Sequence, residues 1–273
     1  QANTWGVNQL YNGLVQLDDN LDVQPAIAKS WDISDDLLTY TFHLHDNVYF
    51  HDNGCFSDGK GRKVVAEDFV FSLTRIVESE KGNWVFKGLL DTIQPFTAVD
   101  DATFQIKLQK RFIPLLGRLA TQFCSVVPKE AVEKYGQDFR TNPVGTGPFK
   151  FVNWKEGELL VLHKNEQYFE QGVDGASLPY LDGVAISFIG NKSTEFLKFL
   201  DGDLDFVSDL DASLKDQVLS KEGELLEKHK SDFNLEKTPY LNTEYLGFLL
   251  DTTHAKLQGL SLIHISEPTR LDD

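Results

Sequence analysis

Residues 37–50, LLTYTFHLHDNVYF, alternate between apolar and polar side chains with a period of two. One face of this segment carries Leu38, Tyr40, Phe42 and Leu44, and the other carries Thr39, Thr41, His43 and His45. Successive side chains of a strand point to opposite faces, and aromatic and β-branched residues are common in strands. The segment therefore predicts a β-strand with one apolar and one polar face.

A turn and then a helix follow this strand. The stretch HDNGCFSDGKGRK is dense in Asp, Asn and Gly, which favours a turn. The next residues, AEDFVFSLTRIVES, repeat with a helical period, and Glu67 and Asp68 lie where the helix dipole favours acids. The predicted buried face of the helix carries Phe69, Leu73, Ile76 and Val77.

The middle of the chain continues to mix strands with helices. DATFQIKLQK predicts an alternating strand, and FIPLLGRLATQFCSVVPKEAVEKYG predicts a helix, a short extended piece and a helix that opens at Pro128. GPFKFVNWKEGELLVLHKN predicts a hairpin whose turn is KEGE.

The later segments follow the same mixed pattern. GVAISFIG predicts a buried strand, and NKSTEFLKFLDGDLDFV predicts a helix that ends near Gly202 and then a short strand. DASLKDQVLS predicts a helix, and FNLEKTPYLNTEYLGFLL predicts an extended aromatic segment. Because no strict βαβ rhythm is present, we expect a mixed α/β (α+β) fold.

The three histidines of residues 43–51 and Cys55 are of types that bind metal ions. His43 and His45 lie two apart on the predicted strand and so point the same way, whereas His51 lies at its end. The same spacing is found on a solvent-facing strand, and no HExxH, CxxC or second His/Cys pair supports a metal site. We favour a polar strand face, with a metal-dependent enzyme using His43, His45 and His51 as the lesser alternative.

Charge and motifs restrict the function further. Acidic residues outnumber basic ones by 42 to 26, for a net charge of −16, which disfavours nucleic acids and anionic membranes as partners. The sequence has no GxSxG and no Gly-rich phosphate loop, and Pro148 follows the Gly residues of GTGPFK, so an enzyme is not expected. Cys55 and Cys124 are expected as two partly buried thiols, with a disulfide as the lesser alternative.

Several stretches together carry a family resemblance. They are LYNGL, PAIAKSWDIS, YTFHLHDNVYFHD, FSDGKGRKVVAEDFVFSLTRI, VGTGPFKFVNW, HKNEQYF, PYLDGVAISFI, LKFLDGDLDFV and LNTEYLGF. In this order they resemble the substrate-binding proteins of ABC importers in the oligopeptide, dipeptide and nickel class, solute-binding family 5. The family often has Thr where Val65 precedes Ala66, so here the helix cap comes from elsewhere or its loss costs about 1 kcal/mol.

The resemblance implies a type II periplasmic-binding-protein clamshell with two lobes, the second largely missing from this chain. The expected parts are 1–12 and 141–241 as lobe one, 13–140 as an inserted subdomain, 242–259 as the hinge and the start of lobe two, and 260–273 as a non-native tail. LSLIHISEPTR, Leu260 to Arg270, resembles a translated sequencing-library adapter. With no Met in the sequence, we expect a partial reading frame that binds ligand weakly.

The resemblance also implies where ligand is held, in the cleft between the lobes. The expected ligand-binding residues are Asn3, Thr4, Trp5, Trp84, Ser208, Asp209, Asn242 and Tyr245. For Trp5 an ordinary core position competes equally, and for Trp84 core packing is the favoured role. Asp209 is expected either to meet a ligand amine or to lie on a solvated loop.

The expected ligand is a peptide, which can pair its backbone with extended protein segments. An oligosaccharide or a nickel chelate bound by the same fold is the alternative. The expected partners are the peptide and membrane permease subunits, with no cofactor and a monomeric state. The expected location is the periplasm, with a lipid anchor left open.

Overall fold

The computed structural model describes residues 2–208 and 210–237, and for residues 2–5 it describes only the backbone. The chain divides into two compact units, Gln1–Glu195 and Phe196–Asp273. Among the described residues, no helix has both the length and the apolar character needed to cross a bilayer. The predicted division at residues 13, 140 and 242 stays a prediction.

Helices and strands alternate along the chain without a regular repeat. The helices are α1 (Ala2–Leu10), α2 (Ala66–Glu78), α3 (Leu115–Leu119), α4 (Lys129–Tyr135), α5 (Lys192–Leu200) and α6 (Lys215–Val218). The strands are β1 (Val15–Leu17), β2 (Val23–Pro25), β3 (Ala28–Ile33), β4 (Thr39–Leu44), β5 (Phe96–Asp100), β6 (Thr103–Lys107), β7 (Phe149–Lys155), β8 (Leu159–Lys164) and β9 (Gly183–Ser187). The 3₁₀ turns are Asn83–Val85, Gln122–Cys124, Gly136–Thr141, Ala212–Leu214 and Glu227–His229.

Strand β4 is the predicted alternating strand, and it lies inside an antiparallel sheet of order β3-β4-β6-β5. Its apolar face is buried at Tyr40, Phe42 and Leu44, while the polar face is only partly covered. The alternation is therefore confirmed. The strand is shorter than residues 37–50, because the chain leaves the sheet after Leu44 and Tyr49 forms an isolated bridge with Lys63.

Helix α2 covers the buried face of this sheet. The ring of Phe104 lies 5.7 Å from that of Phe69 on the helix and 6.3 Å from that of Phe42. The predicted helical face is correct for Phe69 and Leu73, which are buried, but wrong for Val77, which is exposed. Val77 lies about 100° around the helix from Ile76, and this places it past the edge of the covered stripe.

The hairpin prediction is confirmed by strands β7 and β8, which β9 extends into a second antiparallel sheet. Glu158 N–H donates to Lys155 O at 3.0 Å across the predicted turn. The prediction that GVAISFIG is buried is wrong, because β9 alternates between exposed and half-buried residues. An apolar run of this length indicates a strand but does not establish whether both faces are covered.

The second unit contains the greater part of α5. The predicted helix end near Gly202 is confirmed, because α5 ends at Leu200. The short strand predicted after it is absent from the described residues 203–208. The predicted DASLKDQVLS helix is divided into the 3₁₀ turn Ala212–Leu214 and the short helix α6.

The cysteines are both free thiols. Cys55 is half-buried, and Cys124 is buried in the main core cluster. Burial raises the pKa of Cys124 to about 12 and also raises the pKa of Cys55. The favoured expectation of two thiols therefore agrees with the structure, with Cys124 buried rather than partly buried.

Candidate functional site

Two large aromatic side chains are exposed side by side in the first unit. Trp84 lies on the 3₁₀ turn Asn83–Val85 and is 56% exposed, and Phe123 lies on the turn Gln122–Cys124 and is 55% exposed. Their ring centroids are 5.6 Å apart in an edge-on arrangement with an interplanar angle of 78°. Each turn fixes one of these rings through a buried neighbour, Val85 or Cys124. A paired exposed aromatic surface of this kind is typical of a binding site.

A groove of about 310 Å³ opens beside Trp84. We call it the Trp84 groove, and its lining residues are Trp84, Val85, Pro114, Gly117, Arg118 and Thr121. This volume is near the lower end of the ~300–1,000 Å³ range of small-ligand pockets. It fits one side-chain-sized group at a time.

Helix α3 forms one wall of the Trp84 groove and keeps it open. Pro114 directly precedes the helix, and the buried side chains of Leu115 and Leu119 fix it to the core. A Cβ atom built on Gly117 would meet no heavy atom within 4 Å. The missing side chain of Gly117 therefore leaves space that a ligand can use.

Arg118 supplies the charge of the groove. Its Nη1 donates to Val85 O, and its guanidinium carbon lies 4.6 Å from the centroid of the Phe112 ring. The carbonyl oxygen of Arg118 accepts a hydrogen bond from Thr121 Oγ1 at 2.7 Å. Arg118 forms no ion pair with any described carboxylate.

The predicted N-terminal wall lies on helix α1. Asn3, Thr4 and Trp5 belong to α1, and α1 packs beside the 3₁₀ turn that carries Phe123. The structure describes only the backbone of these three residues. The turn Gln122–Cys124 thus adjoins helix α1 and also carries Phe123, whose ring lies beside that of Trp84.

Other predicted site residues have mixed outcomes. The favoured core role of Trp84 is wrong, because the neighbouring Val85 and Phe86 enter the core and leave the indole outside. Ser208 is half-buried in the second unit without regular secondary structure. Asp209, Asn242 and Tyr245 lie outside the described residues.

The three histidines of residues 43–51 have three separate partners. His43 Nε2 lies 2.8 Å from Asp32 Oδ2, His45 packs on the Phe169 ring with centroids 5.9 Å apart, and His51 Nε2 lies 2.9 Å from Gly147 O. In the described part of the chain, no group of three or more His, Cys, Asp or Glu residues is arranged to hold a metal ion. Each ring is thus engaged in a structural contact.

A second and larger cavity, of about 590 Å³, lies between residues 47–61 and residues 167–169. Its walls include Lys60 and Asp52, which form an ion pair of 3.0 Å with both side chains exposed. The lining of this cavity is therefore more polar than that of the Trp84 groove.

Sequence reasoning did not find Phe123, Gly117 or Arg118. One available signal was Gly117, a glycine inside a helical pattern, which often has a packing or functional reason. The pairing of Phe123 with Trp84 had no local signal, because the two residues are far apart along the chain.

Comparisons with known proteins show which proteins this chain is similar to. A family model for bacterial extracellular solute-binding proteins, family 5 Middle, matches residues 22–258. Heme-binding protein A of Haemophilus influenzae is 32% identical over 260 aligned residues, and the match covers 86% of this chain and 46% of that protein. The dipeptide-binding protein of Escherichia coli is 31% identical over 205 aligned residues, covering 69% of this chain and 37% of that protein.

A solved structure shows a similar fold. The ABC transporter-associated periplasmic binding protein DppA from Helicobacter pylori, in complex with peptide STSA, superimposes with a TM-score of 0.66 at 29% identity. The match covers 77% of this chain and 43% of that protein. The chain thus spans less than half the length of the proteins named here.

Proposed function

Because this chain belongs to family 5 of the bacterial extracellular solute-binding proteins, we propose that it forms part of the substrate-binding component of an ABC importer. The proposed ligand is a short peptide that places one side chain in the Trp84 groove. A membrane permease is the proposed recipient of the peptide. The proposed location is the periplasm, with or without a lipid anchor, and the proposed state is a monomer.

The exposed pair of Trp84 and Phe123 beside an apolar groove carries this proposal. Leaving two large aromatic side chains in water is unfavourable unless a ligand or a partner covers them. The open space over Gly117 allows a bulky apolar side chain to enter without displacing protein atoms.

The chemistry around the groove favours holding a ligand over transforming it. The Thr121 hydroxyl is engaged with the carbonyl of Arg118. The Cys124 thiol is buried, and its pKa of about 12 keeps it protonated at neutral pH. A protonated thiol is a poor nucleophile, and an arginine does not serve as a base at this pH.

A peptide fits the groove better than the other ligand classes considered. An extended peptide can offer one side chain to an apolar pocket and its backbone to neighbouring protein segments. The similarity to a dipeptide-binding protein and to a peptide complex supports this choice. The similarity to a heme-binding protein makes haem the main competitor, although the groove volume of about 310 Å³ suits a smaller group.

The lobe arrangement expected from the sequence is kept as part of the proposal. Two separate buried clusters within the first unit support it. One cluster gathers buried residues between Leu14 and Val144, and the other joins Leu10 with Phe149 and Leu162. This separation supports the proposal of an inserted subdomain at 13–140 and a lobe built from 1–12 and 141–241, although Val144 of the first cluster lies just outside the subdomain bounds. The roles of Ser208, Asp209, Asn242 and Tyr245 remain predictions.

Calorimetric and tryptophan-fluorescence titrations with Ala-Ala-Phe, haemin, the nickel–histidine complex and maltotriose test the ligand class. We expect Ala-Ala-Phe to bind most tightly of the four. Trp84→Ala should weaken binding of the peptide about tenfold, as loss of a buried aromatic contact does. Gly117→Leu should weaken it similarly by filling the groove.

Gly117→Ala is the matched control, because a single methyl group enters open space and leaves most of the groove free. It should bind the peptide as the native chain does. Tighter binding of haemin, nickel–histidine or maltotriose than of the peptide would reject the peptide assignment. Equal peptide affinities for native, Trp84→Ala and Gly117→Leu proteins would remove the groove from the ligand site.

A further inference from the structure

The Trp84 groove places one cation among its lining residues in a chain that is acidic overall. The protein carries 42 acidic and 26 basic residues. Arg62 pairs with Asp68 and Glu130, and Arg140 pairs with Glu156. Arg118, which lines the Trp84 groove, forms no ion pair with any carboxylate in residues 2–208 or 210–237. An unpaired, partly buried cation in an acidic protein is a candidate partner for a ligand anion.

Arg118 is also held in place before any ligand arrives. Its Nη1 is tied to Val85 O, and the flat guanidinium lies over the Phe112 ring at 4.6 Å. A guanidinium carries several N–H donors. Among the described residues, Val85 O is the acceptor of a hydrogen bond from the Arg118 side chain. The remaining donors are oriented at little further entropic cost, which favours binding of a planar carboxylate.

The other walls of the groove are apolar. Trp84, Val85 and Pro114 line it together with Arg118. A ligand group of one-residue size therefore meets an apolar surface and a fixed cation in the same space. An N-terminal ammonium would be repelled by Arg118, whereas a C-terminal carboxylate would be attracted.

We propose that the Trp84 groove binds the C-terminal residue of a peptide, a proposal that rests on the proposed function. Its bulky apolar side chain packs against Trp84, Val85 and Pro114, and its free carboxylate accepts hydrogen bonds from Arg118. The groove thereby selects peptides with an apolar C-terminal residue and a free C-terminus.

A double-mutant cycle tests this pairing with Ala-Ala-Phe and its C-terminal amide on native and Arg118→Gln proteins. Amidation should weaken binding to the native protein about tenfold, which is typical of losing a charged hydrogen-bond partner. Arg118→Gln should weaken binding of the free acid by a similar factor and leave the affinity for the amide unchanged. Arg118→Lys should restore part of the affinity for the free acid, since it keeps the charge without the planar fork.

Arg111→Gln is the matched control. Arg111 precedes α3, donates from Nε to Asp36 O at 3.0 Å and does not line the groove. Its replacement should leave both affinities unchanged. Thermal unfolding of each variant establishes that it folds, and the comparison of acid with amide on the native protein does not depend on any substitution.

The outcomes separate this proposal from the function on which it rests. Equal affinity of native protein for acid and amide, or equal losses in Arg118→Gln and Arg111→Gln, would overturn the Arg118 pairing while peptide binding stands. If neither acid nor amide binds, the proposed peptide function fails and the pairing fails with it.

Discussion

His51 illustrates how a single buried residue connects segments that are distant along the chain. Its main-chain N–H donates to Gly145 O at 2.8 Å, and its Nε2 lies 2.9 Å from Gly147 O. Asn165 Nδ2 donates to the same Gly147 oxygen at 3.0 Å. Because a carbonyl oxygen only accepts, His51 Nε2 carries the hydrogen, and the buried Nδ1 has no partner among the described residues. This arrangement therefore favours the neutral form of the His51 imidazole.

We predict that this histidine makes the first unit less stable in acid. Burial lowers the pKa of His51 from 6.5 to about 4, with Lys150 adding to the effect and the Gly147 bond and Asp52 opposing it. The unfolded chain binds a proton below about pH 6.5, but the folded protein does so only below about pH 4. Stability should fall between these values as the pH is lowered, by about 3 kcal/mol at most.

Urea unfolding of native and His51→Gln proteins near neutral pH and near pH 4 measures this loss. The variant should lose less stability on acidification than the native protein. Asn165→Ala is the control, because it removes the other donor to Gly147 O without removing a titrating group. The loss of unfolding free energy that it causes should be similar at both pH values. An equally steep acid loss in His51→Gln would contradict the prediction.

Gly145 is required by close packing rather than by turn geometry. A Cβ atom at this position would lie 1.9 Å from Leu10 O and 2.7 Å from a ring carbon of Tyr11. Gly145→Ala should therefore destabilise the protein by more than about 2 kcal/mol, since the main chain of Leu10 has to move. Gly117→Ala is the contrasting variant and should be neutral or stabilising by up to about 1 kcal/mol, because alanine favours helix. Urea denaturation compares the two, and similar losses in both would show that packing at Gly145 is not limiting.

Helix α2 shows how an element begins without a capping side chain. Val65, the residue before the helix, has no hydrogen-bond acceptor in its side chain, as the sequence indicates. The cap is supplied from elsewhere: Asp68 Oδ2 accepts from Val65 N–H at 2.9 Å, and Ala66 N–H donates to Asp101 O at 2.9 Å. Arg62 fixes the Asp68 carboxylate through two hydrogen bonds of 2.8 and 2.7 Å.

We predict that Asp68→Asn destabilises the protein by about 2 kcal/mol, because it removes a buried charge from a hydrogen-bonded pair. Val65→Thr should have the opposite effect, a gain of about 0.5–1 kcal/mol, because a threonine hydroxyl can accept from the N–H of Glu67 or Asp68. Chemical denaturation measures both. Glu133→Gln breaks only the exposed pair with Lys129 and should cost less than about 0.5 kcal/mol. A loss from Asp68→Asn no larger than this control would rule out the cap role of Asp68.

The two compact units of the molecule differ in how much core they hold. The main cluster of the first unit gathers a large set of buried apolar residues around the β3-β4-β6-β5 sheet. In the described residues of the second unit, the buried apolar side chains are those of Phe196, Leu214 and Val218. Because local stability follows buried apolar contact, the second unit should open more readily than the first.

Hydrogen exchange followed by mass spectrometry tests this difference. Amides of residues 196–237 should exchange faster than those of α2, β4 and β6. Phe196→Ala should speed exchange within 196–237 further and leave β4 and β6 protected, since its side chain belongs to the cluster of the second unit. Equal protection of both regions in the native protein, or loss of β4 protection in Phe196→Ala, would show that the units do not unfold separately.

The sequence by itself determined the features that arise from local periodicity and from many matching segments. Strand β4, helix α2, the β7-β8 hairpin and the helix opening at Pro128 follow from side-chain spacing, because strand and helix geometry repeat within a few residues. The predictions of solute-binding family 5 and of a mixed α/β fold of the type II periplasmic-binding-protein class are also confirmed.

Only the tertiary structure decided which of these side chains are exposed, which are buried and which distant groups they contact. It exposed Trp84, paired it with Phe123, buried His51 and supplied the α2 cap from Asp68 and Asp101. It also left β9 half-covered, against the prediction from its apolar run. The covering of a side chain depends on which distant elements pack against it, and a local pattern carries no information about that packing.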